Sequence, residues 1–151
     1  MKKIFLLMII PLLLKGCQTH QDESVFYLEN EYYNSSSLML IDGEELRYLE
    51  NNESNFIAFV FMPMCYASAL FYEVVSEFIN IHEISMYRIP FPQIENTRMA
   101  DAITYFPTIV IYRDGLVRAF LESDTYEHIP YYQSAEGLKS WLVQYIYFKN
   151  E

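Results

Sequence analysis

One unbroken apolar run and two apolar stripes define most of the elements this chain predicts. Phe56-Ile57-Ala58-Phe59-Val60-Phe61 has the continuous hydrophobicity of a strand buried on both faces. The run ends at Met62-Pro63-Met64. Beyond Cys65, the residues Ala69, Leu70, Tyr72, Val74, Val75, Phe78, Ile79 and Ile81 recur at helical spacing and predict a helix with a broad core-facing stripe. Upstream, Asp42 to Leu49 reads as a turn and a short helix with Glu44 and Glu45 in its first turn. Ile84 to Ile89 predicts a second strand, short and mixed in polarity. Residues 90–104 form a connection containing Pro90, Pro92 and a short helix expected at Asn96 to Ala102. Thr108–Tyr112 and Leu116–Leu121 predict strands joined at Arg113-Asp114-Gly115, because Asp-Gly between β-rich runs signals a hairpin. After a loop from Ser123 to Gln133, Ser134 caps a last helix with Leu138, Trp141, Leu142, Tyr145 and Ile146 on one face.

A βαβ half followed by a ββα half predicts an α/β fold with a four- or five-stranded mixed sheet flanked by helices. Residues 18–37 are polar, lack Gly and Pro, and carry Tyr27, Tyr32 and Tyr33 without periodicity. They read as a tether ending at Ser35-Ser36-Ser37. The expected division is therefore 1–16, 17–37 as the tether, and 38–151 as one domain.

The first segment has the form of an export signal. Met1-Lys2-Lys3 is basic, and Ile4 to Leu14 is apolar for 11 residues, where a membrane-spanning helix needs roughly 20. Leu14-Lys15-Gly16-Cys17 resembles the end of a bacterial lipoprotein signal. That resemblance implies that Cys17 becomes a lipidated N-terminus and that the protein sits on the extracytoplasmic face of a cell membrane. Removing residues 1–16 takes Lys2, Lys3 and Lys15 and no acid, leaving seven basic against 20 acidic residues, a net charge of −13. Such a surface repels nucleic acid and anionic headgroups, so membrane attachment falls to the acyl chains, at about 0.8 kcal/mol per buried CH₂.

With Cys17 taken by lipid, Cys65 is a leftover thiol in an oxidising compartment. A cysteine at a strand-to-helix junction meets unpaired N–H groups and a helix dipole, both of which favour its thiolate. A helix N-terminus contributes about 0.3 to 2 kcal/mol, which lowers a thiol pKa from about 8.5 by no more than roughly 1.5 units. No Lys, Arg or His lies near Cys65 in sequence, so only moderate activation is expected.

These features together resemble the thioredoxin-fold family, closest to the catalytic domains of protein disulfide isomerases. Val60-Phe61-Met62-Pro63-Met64-Cys65-Tyr66-Ala67-Ser68 is similar to the family's strand into F-Y-A-P-W-C-x-x-C, and Phe106-Pro107-Thr108-Ile109-Val110-Ile111-Tyr112-Arg113-Asp114-Gly115 to its Y-P-T-x-x-x-F-x-x-G. Ser134 to Leu142 resembles its last helix. The resemblance implies a cis bond before Pro107, opposite Cys65, and a Phe106 backbone that pairs with an extended peptide. It implies a substrate groove edged by Met64, Tyr66 and Phe106. Three departures stand out: Ser68 replaces the resolving cysteine, Met64 replaces the Trp, and Phe59 stands near the position of the family's buried acid.

A lone thiolate attacks a disulfide but Ser68 cannot expel the product, so release needs another thiol. Two functions follow. One is monothiol disulfide exchange, isomerase-like or relay-like, on the thiols and disulfides of exported proteins, with a separate redox partner. The other is a catalytically degenerate fold serving as a protein-binding or secretion-accessory lipoprotein. Peroxidase chemistry is disfavoured, because peroxiredoxins carry Thr or Ser where Met62 stands. His20, His82 and His128 lack ligand spacing, so no metal is expected. Nor does any phosphate loop or cofactor motif appear.

Overall fold

The structure is a computed structural model and describes residues 25–149, so the expected signal segment and Cys17 lie outside the described residues. Its elements are strand β1 (Leu38–Leu40), helix α1 (Gly43–Asn51), β2 (Phe56–Phe61), α2 (Tyr66–His82), β3 (Met86–Pro90), β4 (Thr108–Arg113), β5 (Leu116–Phe120) and α3 (Ala135–Leu142). One mixed sheet runs in the order β1-β3-β2-β4-β5. β3 is parallel to both β1 and β2, whereas β4 is antiparallel to β2 and to β5.

Local chemistry explains the starts and turns. Asp42 opens α1 with a capping box: its Oδ1 accepts from the N–H groups of Glu44 and Glu45, both at 2.9 Å, and Glu45 Oε2 accepts from Asp42 N–H at 3.0 Å. Ser134 caps α3 by accepting from Gly137 N–H at 3.0 Å. Asp114 and Gly115 both take positive φ, 52° and 68°, as a two-residue hairpin matched to the twist of its strands requires. At Gly115 a side chain is excluded twice over, since a Cβ there would lie 2.1 Å from the Glu50 carbonyl oxygen.

β2 forms the centre of the core, with Phe56 to Val60 all buried. Against it α2 turns Phe71, Val75, Phe78 and Ile79. The helix stripe is therefore rotated from the expected one, for Leu70 and Tyr72 face outward. At the foot of the sheet, the buried Glu50 carboxylate accepts from Tyr112 O–H at 2.7 Å and from Arg98 N–H at 2.8 Å, through the same oxygen.

Three expectations change. The short helix at Asn96–Ala102 is a chain of turns instead: Asn96 has φ 63°, and Arg98 N–H is drawn to Glu50 rather than into a helical ladder. α3 stops at Leu142, so Tyr145 and Ile146 leave the helix, and Ile146 bridges to Phe26. Lastly, from Phe26 onward the stretch expected as a tether is docked on the domain. Phe26, Leu28, Tyr32 and Tyr33 are buried, Tyr33 bridges to Ile84, and Ser85 N–H donates to Tyr32 O at 2.8 Å. These residues act as separate anchors among polar neighbours, which is why no period announced them.

Candidate active site around Cys65

β2 carries the chain to the end of the sheet, and the turn Met62-Pro63-Met64-Cys65 delivers it into α2. Cys65 N–H donates to Met62 O at 3.2 Å, closing the turn. Pro63 presets the first corner, while Met64 occupies the second with φ 63°, the left-handed conformation that a type II turn needs and usually gives to glycine. The Met64 side chain projects fully into solvent.

Cys65 is the N-cap of α2, half-buried and free. Its thiol is held below the ordinary cysteine value first by the Ser68 backbone N–H and next by the Ser68 hydroxyl; partial burial opposes them, and the Ala67 N–H adds to the lowering. The Ser68 side chain is buried, and its oxygen accepts from Met62 N–H at 3.1 Å. The Ser68 oxygen thus braces the turn, and its hydroxyl favours the thiolate form of Cys65.

A groove of about 550 Å³ flanks the thiol, lined among others by Met64, Cys65, Tyr66, Ser68, Tyr72 and Arg88. The structure thus brings together four residues marked in the sequence: Cys65, Ser68, Met64 and Tyr66. Phe106 and Pro107 do not line this groove. Their peptide bond is cis, and they precede β4, whose Thr108 pairs with Val60. They accordingly lie beside the exit of β2, on the flank opposite β3. Phe106 packs on Phe91 with ring centroids 5.0 Å apart, and Pro107 is buried.

No protein-family profile and no curated protein matches the chain. Among solved structures, a mutant thioredoxin from Halobacterium salinarum is similar over 74% of this chain and 93% of its own, with 16% identity and a TM-score of 0.55. Reduced Schistosoma mansoni thioredoxin pre-protein is similar over 73% and 99%, with 13% identity and a TM-score of 0.54. Oxidised Plasmodium falciparum thioredoxin is similar over 70% and 95%, with 16% identity and a TM-score of 0.50. The fold is thioredoxin-like.

On this thioredoxin-like frame two further residues stand near the site. Tyr132, in the stretch read as a loop, sits in a 3-10 helix at Tyr126–Tyr132. Its hydroxyl lies 2.9 Å from Pro107 O and 2.6 Å from Leu121 O, and its ring packs on Phe71 at 4.4 Å. It thereby ties the cis-proline segment to α2. Burial, foremost, raises its phenol above the ordinary tyrosine value. Arg88 is the other, brought beside the thiol groove by β3 although 23 positions separate it from Cys65 in sequence. Arg88 had no local signal, since only the pairing of β2 with β3 brings it there; the place of Tyr132 follows from its packing on α2.

The remaining histidines serve packing and turns. His82 packs against Phe78 and Phe148, with ring centroids 4.9 and 5.6 Å away. His128 Nδ1 accepts from Glu122 N–H at 3.0 Å. His20 lies outside the described residues.

Proposed function

We propose that this thioredoxin-like protein carries out monothiol disulfide exchange through Cys65 on the thiols and disulfides of exported proteins, anchored by lipid at Cys17 outside the cytoplasm. The observation that carries the proposal is a free, half-exposed thiol at a helix N-terminus with its thiolate favoured by Ser68. In the forward step the Cys65 proton goes to solvent, the thiolate attacks a substrate sulfur, and the displaced sulfur leaves as a thiolate. One S–S bond forms and one breaks. With Ser68 in place of a second cysteine and Cys17 taken by lipid, the mixed disulfide has no internal resolving thiol, so a second substrate thiol or a redox partner completes the cycle.

Refolding of a scrambled disulfide protein in a thiol-containing buffer tests the proposal. The chain should accelerate it, Cys65→Ser should abolish the gain, and Ser68→Cys should gain net dithiol turnover. Equal activity of wild type and Cys65→Ser would remove the exchange reading. The second reading is a binding or secretion-accessory role with a residual thiol, and the exposed apolar set Met64, Tyr66 and Leu70 favours it. In that case Cys65→Ser retains full function in the cell. Lipid attachment is read separately, by the mass of the mature N-terminal peptide in wild type and Cys17→Ser.

A further inference from the structure

The groove beside Cys65 contains a cation that forms no ion pair. Arg88 lies in β3 opposite Phe59 of β2, and its guanidinium carbon sits 5.7 Å from the Phe61 ring centroid and 5.6 Å from that of Tyr72. Both rings line the groove, as does Arg88. The aromatic pair holds the guanidinium by cation–π attraction, which is effective within about 6 Å. Its Nε is buried and has no hydrogen-bond partner, the one such side-chain atom among the described residues. No carboxylate there pairs with it either: Glu73 lines the same groove yet forms no ion pair with it. In a chain with 20 acidic against 10 basic residues, an arginine held against two rings without an ion pair stands out.

The other flank of Cys65, toward β4, is the side of the cis Phe106–Pro107 segment. Arg88 therefore stands on the opposite flank, toward β3. A guanidinium meets a carboxylate through paired N–H donors in a planar fork, and this geometry fits a planar anion better than a point charge. With Nε covered, the terminal amino groups are the donors left for it.

We propose that Arg88 is a specificity residue that binds a carboxylate on the disulfide or thiol presented to Cys65, so that the preferred exchange partner is anionic beside its reacting sulfur. This rests on the exchange reading above. The step is the same exchange: Cys65 thiolate attacks R–S–S–R, Cys65–S–S–R forms, and RS⁻ leaves with no net change in oxidation. Arg88 holds the carboxylate of R during the attack. The carboxylate can belong to a small thiol such as glutathione or to an acidic residue next to a peptide cysteine.

The test uses the full chain and two aromatic disulfides, dithiobis-nitrobenzoate with two carboxylates and uncharged dithiodipyridine. Each rate is divided by that of a free thiol with the same probe. Wild type should favour the anionic probe against the repulsion of its own net charge, and Arg88→Gln should lower that rate roughly three- to tenfold while leaving the neutral probe unchanged. Arg88→Lys should recover part of the loss. Reaction with the neutral probe reports the exchange reading alone; the anionic-to-neutral ratio reports Arg88. An unmoved ratio in Arg88→Gln overturns the inference, including where the variant is merely less stable and both rates move together. Oxidised glutathione and two peptide disulfides, with Glu or Gln beside the cysteine, locate the source. An Arg88-dependent gain with glutathione alone assigns a small thiol, a gain of Glu over Gln assigns an acidic peptide, and no Arg88 dependence in any arm rejects the proposal.

Discussion

One hydroxyl serves two masters at Ser68. Its oxygen accepts from Met62 N–H and steadies the turn, while its proton, together with the Ser68 N–H, stabilises the Cys65 thiolate. Because these donors favour the charged form, the alkylation rate of Cys65 should reach half its plateau at a pH below that of a free cysteine, about 8.5. A midpoint at or above that value would mean that the helix terminus does nothing for the sulfur. Ser68→Ala should raise the midpoint toward the free value, since a donor to the thiolate is lost. It should also destabilise the fold by about 1–3 kcal/mol in denaturant titration, because Met62 N–H loses its buried acceptor. A variant that loses stability with an unmoved midpoint would confine Ser68 to a structural part. Cys65 and Ser68 were legible in the sequence because four adjacent positions carry them; Arg88 was not, because strand pairing alone brings it there.

At the scale of elements, the turn before α2 contains a conformational misfit. Met64 holds φ 63° with a full side chain in solvent, a state that costs a non-glycine residue about 1–2 kcal/mol. Met64→Gly removes that cost and adds unfolded-state freedom, so thermal unfolding should show unchanged or slightly raised stability; a loss above about 1 kcal/mol would show that the methionine side chain packs in the folded chain. The elements that the sequence foretold well are those where a period or a cap is written locally. β2, the Asp-Gly hairpin and the Ser134 cap are examples, each set by neighbours a few positions apart. Those that it missed depend on distant partners. The Asn96–Ala102 stretch loses an N–H to Glu50, almost fifty positions away, and α3 ends where its last residues turn to meet Phe26.

For the molecule as a whole, the docked N-terminal stretch is part of the core. Leu28 is 3% exposed, so Leu28→Ala should cost about 2–5 kcal/mol, the range for buried leucines; a change near zero in the unfolding free energy would restore the reading of this stretch as a tether. Buried phenols set the alkaline limit. Burial, chiefly, holds Tyr32 and Tyr112 protonated above the ordinary tyrosine range, helped by the hydrogen bonds to Tyr87 and Glu50 respectively. Their folded pKa exceeds the unfolded value of about 10, so stability is unaffected below that pH and falls above it. The slope is about 1.4 kcal/mol per pH unit for each such tyrosine. Tyrosinate absorbance should accordingly rise for these two only in step with loss of near-ultraviolet ellipticity, and ionisation of both in a still-folded chain would contradict the burial.

Phe26 to Tyr33 cross the sheet where β2 and β3 begin: Glu29 N–H donates to Asn55 O at 3.2 Å, and Tyr33 bridges to Ile84. The thiol emerges at the other pole, six strand residues and on the order of 20 Å away. Any leash fastened upstream of Phe26 therefore pulls on the pole remote from the sulfur, and a chain moored to a surface by that leash would present Cys65 outward, toward whatever diffuses past.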